Sequence, residues 1–145
     1  KLAWPVVLLG STKEHDLCQE IALQAASEVS DAGAWQAGGQ IINLAGKTSL
    51  AQALSIISAT KSIVSNDSGL MHVAAGFGVP QVAVFGSSSP LHTPPLNDRA
   101  HVLWLKNDAS YQPPLSCAPC FERTCPLGHT RCLNDISATA VFQLL

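Results

Sequence analysis

A short stretch in the middle of the chain has the residue types of an anion-binding turn. The apolar residues Ile63 and Val64 lead into Asp67-Ser68-Gly69, and small residues typical of a helix follow. At such a helix start, the backbone N–H groups of Ser68 and Gly69 and the helix dipole together favour a phosphate. Gly69 lacks a Cβ, so a ligand can approach the main chain closely. An ordinary helix capped by Asp67 or Ser68 is the alternative interpretation.

Three further side chains near strand-to-helix loops are suited to a nucleotide. His72, on the first turn of the same helix, can donate to a phosphate or a sugar hydroxyl. Lys47 can neutralise phosphate charge, and the Glu14 carboxylate can accept from both hydroxyls of a ribose. The alternatives are a packing histidine, an exposed loop lysine and a carboxylate that stabilises a helix start. In open α/β sheets, ligands bind where strands lead into helices. The loops at such places are 10–16, 44–49 and 65–70.

The C-terminal part of the chain carries a cysteine cluster, CAPCFERTCPLGHTRC. Its first spacing, C-x2-C, is typical of metal knuckles, and four thiolates, or three with a histidine, would complete a tetrahedral zinc site. An iron–sulfur cluster is a second alternative, although the spacing differs from that of ferredoxins. Pro119, Pro126 and the lack of a second C-x2-C favour reduced cysteines that pack as small hydrophobes. We therefore predict no metal, and the candidate ligands are Cys117, Cys120, Cys125, Cys132 and His129.

Strand and helix patterns alternate along the chain and position these residues. Continuous apolar runs predict strands at 4–10, 41–44, 62–65, 81–86 and 101–105. Apolar residues at helical spacing predict helices at 11–30, 50–59, 70–78 and 136–145. The first of these helices is expected to bury the stripe formed by Leu17, Ile21, Ala25 and Val29. Segments 31–40 and 87–95 are predicted to be loops, and the whole order indicates an α/β fold with a parallel sheet.

The composition predicts one domain, because 145 residues with 47% hydrophobic content can bury one core. The net charge is −2 and the sequence has no basic run, so it lacks the usual signal for nucleic-acid binding. No apolar stretch approaches the ~20 residues of a membrane span. Cysteines without an export signal favour a reducing cytoplasm, and the isolated Cys18 is interpreted as helix packing. Residues 107–136 are expected to form an irregular excursion within the domain 1–145.

The segment from Asn43 to Leu96 and the tail CAPCFERTCPLGH resemble the C-terminal half of the bacterial ADP-heptose:lipopolysaccharide heptosyltransferases, glycosyltransferase family 9. SNDSGLMHVAA and FGSSSPLHTPPL are most similar to type II members, which add the second heptose of the inner core. The resemblance implies a GT-B architecture of two Rossmann-like domains, the C-terminal one holding the nucleotide sugar. It also implies an inverting transfer that uses no metal or other cofactor.

The same resemblance implies roles for individual residues. The Asp67-Ser68-Gly69 turn, with Leu70, would cradle the diphosphate of ADP-heptose, assisted by His72. Glu14 lies where the family places a ribose-binding carboxylate, with Asp16 as the alternative. Lys47 and Thr48 would border the adenine.

The resemblance further implies that this chain is part of a longer enzyme. The N-terminal domain, with the catalytic aspartate and the site for the lipid-anchored Kdo/heptose core acceptor, is expected to lie outside this sequence, as is a first strand–helix unit. No catalytic residue is therefore expected here, and the chain alone is expected to be inactive and to self-associate. The enzyme is expected to be peripheral to the cytoplasmic face of the inner membrane. Three alternatives remain: a type I or III heptosyltransferase, a metal-binding interaction module, and a plain mononucleotide-binding domain.

Overall fold

The computed structural model describes residues 4–32 and 40–145. The chain forms two compact units, Lys1–Ala53 and Leu54–Leu145, and the boundary falls inside a helix. Most of the loop expected at 31–40 lies outside the described residues, while Asp31 and Ala32 belong to a helix rather than to that loop.

The first unit contains a parallel strand pair and one long helix. Strand β1 (Val6–Leu8) leads through a 3₁₀ turn (Thr12–Glu14) into helix α1 (His15–Ala32), and β2 (Ile41–Asn43) follows. The two strands pair in parallel register, from Val6 opposite Ile41 to Leu8 opposite Asn43. After β2 the chain continues into helix α2 (Leu50–Ala59), which has the predicted bounds.

The prediction that α1 buries its apolar stripe is wrong for Leu17 and Ile21. Leu17 is 58% exposed and Ile21 is 46% exposed, whereas Ala25 is half-buried and the Val29 side chain lies outside the described part. The described residues therefore cover the stripe only in part, although it has helical spacing.

The second unit is built on a three-stranded parallel sheet in the order β3-β4-β5. Strand β3 (Ile63–Asn66) leads into helix α3 (Gly69–Gly76), which returns the chain to β4 (Gln81–Val84). Strand β5 (Ala100–Leu103) completes the sheet beside β4. The carboxyl end of β3 therefore opens directly onto the N-terminus of α3.

The core of this unit fixes α3 against the sheet. Met71, Ala83, Phe85 and Trp104 form a cluster in which each side chain is 8% exposed or less. Fully burying a side chain of the size of Met or Phe contributes roughly 1.5–3 kcal/mol. With the amide of the buried Gln81 oriented to satisfy both partners, its nitrogen donates to the Met71 carbonyl at 3.2 Å and its oxygen accepts from the Ala75 N–H at 3.2 Å. These contacts make the start of α3 a rigid part of the unit.

The chain after β5 has little regular structure. A 3₁₀ turn (Leu105–Asn107) precedes an irregular segment that leads into the short helix α4 (Arg131–Asn134). The closing helix α5 (Ala138–Phe142) is shorter than the predicted 136–145. It starts after Ser137 because the hydroxyl of that residue accepts from the Ala140 N–H at 3.1 Å and caps the helix there.

Candidate functional site

The turn between β3 and α3 is not closed by the side chains that usually cap a helix. Ser68, the N-cap residue, has extended backbone angles (φ −153°, ψ 165°) and makes no side-chain cap bond. Its hydroxyl lies 3.2 Å from the Ser65 hydroxyl instead. The Asp67 carboxylate accepts from the Thr93 hydroxyl, at 3.3 Å to one oxygen and 3.2 Å to the other. The simple capping interpretation of Asp67 and Ser68 is therefore wrong.

Backbone donors at this turn are left open. Across the described ranges, no backbone or side-chain acceptor is bonded to the N–H groups of Gly69 and Leu70, while the Met71 N–H donates to the Ser68 carbonyl at 3.2 Å. A Cβ built on Gly69 would meet no heavy atom within 4 Å, so the space in front of its main chain is free. His72 is exposed on the same helical turn. An anion can reach both amides and the imidazole from solvent.

Thr93 is a residue that the sequence reasoning missed. It lies in the loop 87–95, where the buried Ser89 carbonyl accepts from the backbone N–H groups of His92 (3.1 Å) and Thr93 (3.3 Å). The Ser89 hydroxyl accepts from the Leu91 N–H at 3.2 Å. These bonds hold the loop so that Thr93 can donate to Asp67, 26 residues away in the chain. No local pattern in the sequence signals this pairing.

Two cavities in the second unit lie away from this turn. One, of about 420 Å³, is lined by Pro90, Asp108 and residues 102–105 and 107. The other, of about 450 Å³, is lined by residues such as Phe77, Pro80 and Arg99. Neither includes residues 67–72.

In the first unit, Glu14 closes the start of its own helix. Its Oε2 accepts from the Ser11 N–H at 2.7 Å and from the Ser11 hydroxyl at 2.8 Å. These two bonds, the backbone one foremost, lower the pKa of Glu14 below its usual value, because they favour the charged carboxylate. The carboxylate is exposed, and Asp16, two residues further along, is also exposed.

The loop that carries Lys47 and Thr48 packs tightly against the loop after β1. Gly46 has a φ of +71°, and a Cβ on it would lie 2.7 Å from the Thr12 Cα. The exposed Lys47 donates from Nζ to the Asn43 carbonyl at 3.3 Å, and Thr48 is half-buried. Only a glycine at position 46 allows the two loops to approach this closely.

His15 and Asn43 hold this loop and were not identified from the sequence. The His15 Nδ1 lies 2.9 Å from the Ala45 carbonyl. The Asn43 side chain accepts from the Ala45 N–H at 3.0 Å and donates to the His15 carbonyl at 3.1 Å. A polar residue that ends an apolar strand was the one available signal, since Asn43 follows Ile41 and Ile42.

The predicted site residues therefore divide between the two units. Glu14, Lys47 and Thr48 belong to the first, and Asp67, Ser68, Gly69, Leu70 and His72 belong to the second.

The cysteines of the tail are free thiols, and each is half-buried, as is Cys18 in α1. Hydrogen bonds from backbone N–H groups, first that of Thr130, lower the pKa of Cys125. Burial, followed by the neighbouring thiols, raises the pKa of Cys132. Within 4–32 and 40–145, no group of three or more His, Cys, Asp or Glu side chains is placed so that it could hold a metal ion.

The family of the chain follows from comparison with known proteins. The sequence pattern of glycosyltransferase family 9 (heptosyltransferase) matches residues 2–131. The chain belongs to this family. It is 49% identical over 102 residues to lipopolysaccharide heptosyltransferase 2 of Salmonella typhimurium strain LT2 and 48% identical to that of Escherichia coli strain K12. In both cases the match covers 70% of this chain and 27% of the relative, so the match spans about a quarter of the length of these relatives.

Solved structures agree with this assignment. The E. coli ADP-heptose lps heptosyltransferase II matches 97% of this family 9 chain, with a TM-score of 0.68 and 38% identity. The family 9 glycosyl transferase of Veillonella parvula matches 95%, with a TM-score of 0.67 and 25% identity. This chain covers 34% of each of those chains. The predictions of family 9 and of a Rossmann-like α/β fold of the GT-B class are confirmed.

None of the helices in the described part of the chain has the length and apolar character needed to cross a membrane.

Proposed function

We propose that this chain is the donor-binding part of a heptosyltransferase that transfers L-glycero-D-manno-heptose from ADP-heptose to the lipopolysaccharide inner core, with inversion. One observation carries the proposal: the two unbonded amides of Gly69 and Leu70 open to solvent beside His72 at a helix start, in a chain of the heptosyltransferase family. Relatives at 48–49% identity are named heptosyltransferase 2, which supports transfer of the second heptose.

The chemistry of this turn suits the departure of ADP. As the glycosidic bond breaks, negative charge builds on the β-phosphate, and preorganised amides stabilise that charge without having to reorient. The macrodipole of α3 acts in the same direction. His72 adds a third donor that is free to approach a phosphate oxygen.

In this proposal, Asp67 supports donor binding by fixing the turn and does not itself contact the diphosphate. A carboxylate placed against a diphosphate would repel it, and the Asp67 oxygens already accept from Thr93. We assign Asp67 the task of fixing the turn so that the amides of residues 68–70 face the ligand.

Glu14, Lys47 and Thr48 take the roles that the family resemblance implies. Both Ser11 bonds end on Oε2 of Glu14, so the carboxylate has acceptor capacity left for the hydroxyls of a ribose. Lys47 and Thr48 follow the rigid Gly46 turn and border the adenine in this proposal. Asp16 remains the alternative ribose ligand, because it is exposed near the same helix start.

The acceptor and the catalytic base belong, in this proposal, to the part of such an enzyme that lies outside this chain. The acceptor is the lipid-anchored Kdo/heptose core, and the enzyme works as a peripheral protein on the cytoplasmic face of the inner membrane. This chain therefore binds the donor but does not catalyse transfer alone.

The chain also self-associates in this proposal. Leu17, Ile21, Leu50 and Val64 are each more than 45% exposed, and apolar surface of this kind favours association. Static light scattering is expected to show species larger than one chain, and a monodisperse monomer would count against this statement.

Calorimetry with ADP and ADP-heptose, and amide shifts recorded on this chain, test donor binding. ADP-heptose is expected to bind more tightly than ADP, and UDP-sugars are expected to bind weakly. The largest amide shifts are expected at residues 67–72. Equal affinity for ADP and ADP-heptose would support a plain mononucleotide domain. Binding without shifts at 67–72, or no binding at all, would refute the proposed site.

A further inference from the structure

Phe121, in the irregular segment after β5, contacts the loop 87–95 in two ways. Its backbone N–H donates to the Ser87 carbonyl at 2.8 Å. Its ring stacks on the His92 ring with a centroid distance of 5.6 Å and an angle of 10° between the planes, within the range of an offset aromatic pair. The first contact lies at the start of the loop and the second lies near its end, so Phe121 holds the loop at two points.

The backbone of Phe121 has a conformation that depends on such contacts. Its φ is 57°, in the left-handed region, which is unfavourable for a residue that has a Cβ. Residues keep this conformation where their surroundings hold them in it. The Phe121 side chain is 56% exposed, so burial in a core does not account for it. The contacts with Ser87 and His92 supply the hold, and the loop and the later segment thereby fix each other.

A second contact keeps the chain after β5 against the same region. Leu133 of α4 packs directly on Gly86, since a Cβ on that glycine would lie 2.7 Å from the Leu133 Cγ. Gly86 immediately precedes the loop 87–95. The loop is therefore held from the C-terminal side of the chain at its entrance as well as at His92.

The part of the loop that contacts the Phe121 ring is also the part that holds Asp67. The N–H groups of His92 and Thr93 both donate to the buried Ser89 carbonyl, at 3.1 Å and 3.3 Å. The Thr93 hydroxyl in turn donates to the Asp67 carboxylate at 3.2 Å. Because His92 and Thr93 are consecutive and share one acceptor, a shift of His92 also displaces the Thr93 hydroxyl. A continuous set of contacts thus leads from Phe121 to the turn before α3.

We propose that Phe121 is a positioning residue for the donor site. Stacked on His92, its ring keeps the Thr93 hydroxyl against Asp67. The turn then stays in the conformation in which the amides of residues 69–70 are open to the diphosphate. Phe121 acts through the loop 87–95 and does not touch the ligand. This inference rests on the proposed function, since it takes the diphosphate as the ligand of the turn.

Calorimetric titration of the chain with ADP tests the role of the ring. Phe121→Leu removes the ring but keeps a Cβ and an apolar side chain, so the backbone strain is unchanged. ADP affinity is expected to fall about threefold, the scale of one aromatic pair. Phe121→Tyr retains a ring and is expected to retain the parent affinity.

Phe142→Leu is the matched control, because Phe142 in α5 is also 56% exposed. It is expected to bind ADP like the parent chain. Unchanged affinity in Phe121→Leu, or an equal loss in Phe142→Leu, would overturn the proposal.

A double variant tests whether the ring acts through Thr93. In Thr93→Val the link to Asp67 is already broken, so the addition of Phe121→Leu is expected to cause no further loss of ADP affinity. His92→Leu is expected to cause the same loss as Phe121→Leu, whereas His92→Phe restores a pair of rings and is expected to recover the affinity. Losses that multiply in the double variant, or no recovery in His92→Phe, would contradict the proposal.

Hydrogen exchange in the ligand-free chain separates this inference from the proposed function. The Thr93 N–H donates to the Ser89 carbonyl at 3.3 Å, and the Met71 N–H donates to the Ser68 carbonyl at 3.2 Å. Both amides are expected to exchange about threefold faster in Phe121→Leu and at the parent rate in the Phe142 control.

The two measurements together give distinguishable outcomes. If the parent chain does not bind ADP but both amides respond to Phe121→Leu, the proposed function fails and the positioning of the turn by Phe121 stands. If the chain binds ADP and exchange is the same in all variants, the proposed function stands and this inference is refuted.

Discussion

Replacing Gly69 by alanine separates ligand contact from folding at the proposed donor site. The new Cβ meets no protein atom within 4 Å, and the φ of Gly69 lies outside the left-handed region, so the fold accommodates the change. Alanine also loses less backbone entropy than glycine on folding, and the substitution stabilises a helical position by about 0.5–1 kcal/mol. The melting temperature of Gly69→Ala is therefore expected to stay unchanged or to rise.

In the proposed site, the added methyl group would stand beside the amides of residues 69 and 70 and would crowd a bound phosphate oxygen. A hydrogen bond to a charged group contributes roughly 1.5–3 kcal/mol, and we expect the methyl group to remove one such bond. Since each 1.4 kcal/mol is a factor of about ten in the dissociation constant, ADP affinity should fall about 10- to 100-fold. The loss arises in the complex and not in the free chain.

Calorimetric titration with ADP, paired with thermal unfolding, measures both quantities on the same samples. Gly76→Ala is a matched control, because Gly76 ends the same helix and a Cβ there also meets nothing within 4 Å. That variant should bind ADP like the parent chain. If Gly69→Ala kept the parent affinity, or if both variants lost affinity equally, the assignment of the diphosphate to this turn would be refuted.

Three further changes test the surroundings of the two loops. Gly46→Ala combines a positive φ with a 2.7 Å clash and should lower the free energy of unfolding in urea by about 3 kcal/mol, whereas Gly78→Ala, with a positive φ but open space, should lose only about 1 kcal/mol. Equal losses would contradict the tight loop contact. Thr93→Val removes the donor to Asp67 and should weaken ADP binding about fivefold by calorimetry, while Thr93→Ser should restore it; no recovery would argue against the hydroxyl. The lowered pKa of Glu14 means that its stabilisation is present above pH 4.5 and is lost as the pH falls through the folded-state pKa. The difference in melting temperature between the parent and Glu14→Gln should therefore shrink from pH 7 to pH 3, and a constant difference would contradict the Ser11 bonds.

Elements whose form depends on residues close by in the sequence were predictable. Helix 50–59 has the predicted bounds, since its apolar spacing and its flanks are encoded within the segment itself. Strand β1 is shorter than the predicted 4–10 because a strand extends only as far as its partner, and β2 has three residues. The exposed side of α1 is a second case, since burial depends on what covers a helix and not only on its own pattern.

The candidate site was predictable where it consists of main chain. A strand followed by Asp67-Ser68-Gly69 and a helix places amides at a helix start whatever the rest of the fold does. Which side chains hold this turn and the loop after β2 was not predictable, because Asp67 accepts from Thr93 across 26 residues and His15 bonds the Ala45 carbonyl across 30. Such pairs depend on the tertiary arrangement, and single-sequence patterns of helix and strand contain no information on it.

Asp67 is an example of such a long-range pair. Its position before a helix suggests a cap, but its carboxylate accepts from Thr93 instead. A cap bond from Asp67 or Ser68 would have consumed a donor of the first helical turn, and the site would have lost one of its amides. By accepting from Thr93, the Asp67 carboxylate engages its oxygens away from the helix and leaves those donors open. The loop 87–95 thus engages a carboxylate that could otherwise cap the helix. In the proposed anion site, this pairing keeps the amides of Gly69 and Leu70 available for a ligand, because the Asp67 carboxylate is engaged elsewhere.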